Sequence, residues 1–128
     1  TVRTHVLIQK DKPLTRESLL DALSLGHCYV SFDIFSDATG FDFRLLQPNG
    51  VMGDETAYTQ PLELMARAPL ASRFVLLRNG AAVEQSSGST VRFPVNAPGI
   101  YRIEVYLDSL PPPARGKPWI LSNPIYIR

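Results

Sequence analysis

Arg73-Phe74-Val75-Leu76-Leu77-Arg78-Asn79-Gly80-Ala81-Ala82-Val83-Glu84-Gln85 is the stretch that decides the fold class. Both central residues of a two-residue type I′ turn need positive φ, and Asn-Gly supplies it at little cost. The stretch therefore predicts a tight hairpin with strands at 73–78 and 81–85. Downstream, Val91, Phe93 and Val95 alternate as a further strand, where Pro94 removes a ladder donor and points to a sheet edge or a bulge. Asn96-Ala97-Pro98-Gly99 is the next turn. After it Tyr101, Ile103, Val105 and Leu107 face one way, and Arg102, Glu104 and Tyr106 the other.

The same rhythm extends upstream. Phe41, Phe43 and Leu45 alternate with Asp42 and Arg44, Pro48-Asn49-Gly50 turns the chain, and Leu62, Leu64 and Ala66 alternate with Glu63, Met65 and Arg67. Turn signals recurring about every eight to twelve residues between short alternating runs predict an antiparallel sandwich or barrel. Pro98-Gly99-Ile100-Tyr101-Arg102-Ile103 resembles the tyrosine corner of immunoglobulin-like domains, with Ile103 where antibody domains carry a cysteine. The four prolines within 110–118 make that segment a loop. Residues 119–128 return to β-prone composition as a last strand, broken at Asn123-Pro124.

The N-terminal quarter has a different pattern. Residues 4–9 alternate as a short strand, with His5, Leu7 and Gln9 on one face and Val6 and Ile8 on the other. Thr15 is placed to cap a helix, Glu17 lies in the first turn where the helix dipole favours a negative charge, and Leu14 with Leu19 fits a hydrophobic staple. The helix is predicted over 16–25, with Leu19, Leu20, Ala22 and Leu23 as its apolar stripe and Gly26 ending it. Cys28 to Asp33 reads as a strand. The fold expected is mainly β, an immunoglobulin-like antiparallel β-sandwich over 34–128 preceded by a strand-helix-strand segment over 1–33.

Composition narrows the function classes. The chain has 128 residues, 45% of them hydrophobic and 20% charged, which suits a single globular domain with its own core. Thirteen basic residues against 12 acidic ones give a net charge of +1 with no basic cluster, so neither nucleic-acid phosphate nor a membrane surface is the expected partner. No apolar run approaches the roughly 20 residues that span a bilayer, and no signal-peptide pattern opens the chain. The single cysteine, Cys28, reads as a buried, inert thiol on a strand.

Residue chemistry yields no complete active site. His5 and His27 lack a His-x-His, His-Glu-x-x-His or Cys-x-x-Cys context, so no metal ligand is assigned. Asp33, Asp37 and Asp42 surround a loop without the dense Asp/Asn/Gly alternation of calcium loops, and Asp54 and Glu55 fall in an expected turn. His27 with Ser31 and Asp33 offers two residues on one strand, short of a triad. Trp119 and Tyr126, with Tyr58 and Tyr106, are the residues for an aromatic platform that would bind a sugar or peptide if exposed.

Two stretches carry a family resemblance. The first runs from Val2-Arg3-Thr4-His5-Val6-Leu7 through Leu14-Thr15-Arg16-Glu17-Ser18-Leu19-Leu20-Asp21-Ala22-Leu23 to Gly26-His27-Cys28-Tyr29-Val30-Ser31. It resembles the closing strand and helix of PHP-type metal-dependent phosphoesterase domains. Pro118-Trp119-Ile120-Leu121-Ser122-Asn123-Pro124-Ile125-Tyr126 resembles the C-terminal signature of bacterial PHP proteins of the CehA/McbA-like metallohydrolase group.

The resemblance implies that residues 1–33 are the end of a catalytic domain whose divalent-metal motifs, His-x-His and Asp-x-His, lie outside these residues. No catalytic or metal-binding residue carries over, and no cofactor is expected in this chain. It implies a non-catalytic accessory module, with its own N-terminal catalytic domain as partner. The stripe of Leu19, Leu20 and Leu23 then needs another surface, either the sandwich or a second copy in a homo-oligomer. The alternative is an independent ligand-binding sandwich using Trp119 and Tyr126.

Overall fold

The computed structural model describes residues 2–8, 11–46, 49–59, 62–110 and 116–128. The expected loop of 110–118 and the Pro48 turn fall largely outside them, as does Gln9. The strands are β1 (Val2–Val6), β2 (Cys28–Phe32), β3 (Asp42–Leu45), β4 (Gly50–Val51), β5 (Glu55–Thr56), β6 (Leu62–Arg78), β7 (Ala81–Val95), β8 (Gly99–Tyr106), β9 (Ile120–Ser122) and β10 (Ile125–Ile127). One helix, α1 (Arg16–Ser24), accompanies them. The molecule is mainly β, a mostly antiparallel sheet curled into a half-barrel in the order β1-β2-β9-β8-β6-β3-β4, with β7 beside β6, and β5 and β10 off the path.

The Asn79-Gly80 hairpin forms as its dipeptide requires. Asn79 takes φ 51° and Gly80 φ 85°, and Arg78 pairs with Ala81 across the turn. The strands it joins are longer than the alternation suggests. Residues 62–67 and 73–78 fuse into the single strand β6, with a register shift against β7 between Arg67 and Ser72. An irregularity of this kind bends a strand and increases its twist. The two halves of β6 therefore serve different neighbours: Leu64 to Arg67 pair with β3, and Arg73 to Arg78 pair with β8. This shared, bent strand curls the sheet. Pro94 lies on β7, which pairs with β6 alone, so its missing N–H faces an edge.

Inside the curl, Phe43, Phe74, Phe93, Trp119, Leu64, Ile103, Ile120 and Ile125 are fully buried. Each such side chain contributes about 1.5–3 kcal/mol relative to exposure. The last expected strand divides at Asn123-Pro124 into β9, which pairs with β2 and β8, and β10, which pairs with β8 and, in parallel, with β5. Glu55, expected in a turn, belongs to β5.

Thr15 caps α1 reciprocally: its Oγ1 accepts the Ser18 N–H at 3.1 Å, and Ser18 Oγ accepts the Thr15 N–H at 2.9 Å. At the other end the Gly26 N–H donates to the Leu23 carbonyl and the His27 N–H to the Ala22 carbonyl. That pattern is a Schellman motif, which stops the helix at Ser24. Leu14 stays largely exposed, so the expected staple buries little. Ala22 is the buried residue of α1, while Leu19, Leu20 and Leu23 stay partly exposed, so the β-sheet body, one of the two expected surfaces for this stripe, does not bury it.

β1 spans Val2–Val6, ahead of the run 4–9, because its pairing with β2 extends from Val2 opposite Phe32 to Val6 opposite Cys28. β2 ends at Phe32, just before the expected boundary at residue 33, and it bonds to β9 in the same sheet, with Tyr29 inside the core. No helix among the described residues is long and apolar enough to cross a membrane.

Candidate functional site

The chemistry-bearing side chains gather at two places, both involving the segment 2–32. At the first, antiparallel pairing sets His5 opposite Tyr29, their rings stacked at 4.4 Å. His5 Nε2 lies 2.9 Å from Ser31 Oγ, the Ser31 hydroxyl donates to Asp33 Oδ1 at 2.6 Å, and Arg3 Nε lies 3.0 Å from Asp33 Oδ2. The proton inventory sets the direction of this chain. With the Ser31 hydrogen on Asp33, the chain is satisfied by the His5 tautomer that carries its hydrogen on Nε2 and donates to Ser31.

A nucleophilic serine needs the opposite polarity, its own hydrogen directed at the histidine. Ser31 is also fully buried. The trio is a structural relay that fastens the β1–β2 pair, with serine in the middle. The pairing of Ser31 and Asp33 with His27 considered from sequence does not occur. His27 precedes β2 and points elsewhere.

At the second place His27 Nε2 meets Asp54 Oδ1 at 3.0 Å, and Asp54 Oδ2 accepts the Val51 N–H at 2.9 Å. Beside it the Gly53 N–H donates to the Pro124 carbonyl at 2.7 Å, and the Gly53 Cα lies against the end of α1 at Leu25 and Gly26. A cleft of about 300 Å³ opens next to this joint, lined by Leu7, Ile8, Pro13, Ala22, Leu25 and His27 among others.

The remaining carboxylates do not converge. Asp37 accepts the N–H and hydroxyl of Thr39, which hold its carboxyl below the usual range. Asp42 binds Arg44 Nε at 2.7 Å, and Glu55 faces Arg128 at 3.2 Å. His5 is engaged by Ser31 and His27 by Asp54, and among the described residues no group of three or more His, Cys, Asp or Glu is placed to hold a metal ion.

Trp119, expected with Tyr126 on a ligand platform if exposed, lies away from the surface. Its side chain is 0% exposed, with the indole N–H donating to the Ser36 carbonyl at 2.8 Å. Burial satisfies both halves of an indole at once, the apolar ring in the core and the N–H on a loop carbonyl. Tyr126 is half-buried under the Arg128 guanidinium, 5.6 Å from its ring centroid. Tyr58 packs against the core, and Tyr106 lies beneath Arg73 on the outer face with its hydroxyl on Glu104. The four aromatics share no exposed row.

Cys28 is buried as expected, and burial pushes its thiol up, partly offset by the Asn123 amide that donates to its sulfur at 2.8 Å. Burial also opposes ionisation of Glu104, but hydrogen bonds from Arg102 and Tyr106 outweigh it and hold the carboxyl below its ordinary range. Tyr101 donates its hydroxyl to the Ala97 carbonyl at 2.7 Å, the contact that a tyrosine corner makes. The sequence reading missed the Ser31 relay; period-2 alternation placed Ser31 on a strand but gave no signal of what lies across from it. Comparison with known proteins finds no matching family model, no matching curated protein and no matching solved structure.

Proposed function

We propose that this chain is a non-catalytic accessory module of a PHP-type metal-dependent phosphoesterase or related hydrolase, contributing stability, substrate-side shape or assembly. In this reading residues 1–33 close the catalytic fold and residues 34–128 are an immunoglobulin-like sandwich, the latter supported by the Tyr101 corner.

One observation carries the proposal. The two stretches that resemble the PHP tail stand at opposite ends of the sequence, yet they pair with each other. Tyr29, Val30 and Ser31 lie opposite Ser122, Leu121 and Ile120, the Phe32 N–H donates to the Trp119 carbonyl at 2.9 Å, and Asn123 reaches Cys28. They form one hydrogen-bonded block, which supports reading the two stretches together. The relay through Ser31 gives that block a structural role for residues that would otherwise suggest hydrolytic chemistry.

The purified chain, supplied with manganese, zinc or iron(II), is expected to leave phosphomonoesters and phosphodiesters intact. Turnover that co-elutes with the chain and scales with its amount would overturn the reading. The reading frame upstream of Thr1 supplies a second test: in-frame His-x-His and Asp-x-His motifs are expected, and their absence refutes the parentage.

A further inference from the structure

We propose that α1 is a self-association surface, through which two copies of this chain pack antiparallel across a two-fold axis with Leu19 of each against Leu23 of the other. The inference goes beyond the accessory role and applies to the chain with α1 uncovered by a neighbouring domain.

The helix meets the sheet through the wrong face for its composition. Ala22 is its buried residue, and Ser18, Ala22 and Leu25 line the cleft beside β1. At about 100° per residue, Arg16, Leu19, Leu20 and Leu23 occupy a sector of about 100° directed away from that cleft. Leu19 is 37%, Leu20 51% and Leu23 40% exposed. The three leucines are adjacent on this sector, so their exposed parts form one apolar patch and not scattered exposure.

Charge selects a second copy as the occupant. Arg16 shares the leucine sector and sits in the first turn, where the positive end of the helix dipole disfavours a cation. It has no carboxylate partner among the described residues. The last turn of α1 has the complementary defect, with no basic side chain to offset its carbonyls. Antiparallel packing with Leu19 over Leu23 carries Arg16 level with the partner's Gly26, just beyond the C-terminal end of its helix, and the two-fold axis repeats the contact. One operation thus covers both leucine stripes and corrects both charge defects, which an isologous interface achieves without a second sequence.

A contact centred on one nine-residue helix buries well under the roughly 800 Å² per partner of a standard interface, so a weak dimer with Kd on the order of 100 µM is expected. Sedimentation equilibrium across that range should show the mass rising from the 14.2 kDa chain toward twice that value. The Leu19→Glu, Leu23→Glu double variant should stay monomeric, and Arg16→Glu should weaken association about tenfold. Adding Ser24→Lys to Arg16→Glu should restore it, because only the antiparallel arrangement brings these positions together. The substituted residues are exposed, and circular dichroism checks that each variant is folded. A single-chain mass up to about ten times the expected Kd overturns the proposal, assigning the stripe to a different occupant such as a neighbouring domain. A dimer that survives the double leucine substitution, or lack of rescue by Ser24→Lys, overturns it equally.

Discussion

Gly53→Ala should be among the most damaging single-methyl changes in the chain. A Cβ at this position would lie 2.1 Å from the Leu25 carbonyl oxygen, 2.8 Å from the Gly26 carbonyl carbon and 2.9 Å from the Gly26 oxygen. All three are backbone atoms, so no side-chain rotation relieves the overlap. Gly53 also has φ +92°, which L-residues rarely adopt. Positive φ costs about 1–3 kcal/mol and forced overpacking about 1–3 kcal/mol, for a total near 4 kcal/mol.

Relief requires the turn between β4 and β5 to withdraw from α1. That movement strains the bond from the Gly53 N–H to Pro124 and the contact between His27 and Asp54. Gly40→Ala is the control, since Gly40 has a similar φ of +96° with nothing within 4 Å of its would-be Cβ. Urea unfolding followed through Trp119 emission should give a loss for Gly53→Ala at least about 1.5 kcal/mol larger than for Gly40→Ala. Equal losses would refute the steric reasoning and show that the helix end and the turn are not in fixed contact.

Ser31→Ala removes the centre of the relay and leaves His5 and Asp33 each short of a partner, so urea unfolding should report a loss of about 1–3 kcal/mol. Tyr101→Phe deletes the hydroxyl that donates to Ala97 and should cost about 1 kcal/mol in the same assay, with the fold retained. Burial first, and then the charges of Asp37 and Asp33, push the Tyr29 hydroxyl up to about 12. An unfolded tyrosine ionises near ~10. The unfolded chain therefore loses this proton first, and the stability it contributes is intact below about pH 10 and falls as pH rises toward 12. Tyr29→Phe should flatten stability against pH in that alkaline window, as measured by denaturant midpoints; an unchanged slope contradicts the assignment.

The local features were legible because their causes lie within a few residues. Asn79-Gly80 determined a I′ turn, Thr15 a helix cap, Pro94 an edge or a bulge, and Asn123-Pro124 a break in the last strand. Each depends on backbone sterics or on a donor missing at one position. Period-2 alternation likewise identified Phe43, Leu64, Ile103 and Val105 as inward-facing, and all are buried.

Alternation does not say what lies opposite, and there the tertiary structure decided. It fused residues 62–67 and 73–78 into one bent strand, gave His5 rather than His27 to Ser31, and drew Trp119 from a supposed ligand platform into the core. It also turned α1 so that Ala22, and not its leucines, meets the sheet. The reason is common to all four. Sequence periodicity specifies the faces of an element, whereas register, bulges and the choice of neighbour arise from contacts between distant segments. The pairing of β2 with β9 is such a contact, joining the two ends of the chain and leaving the leucine stripe of α1 outside the core.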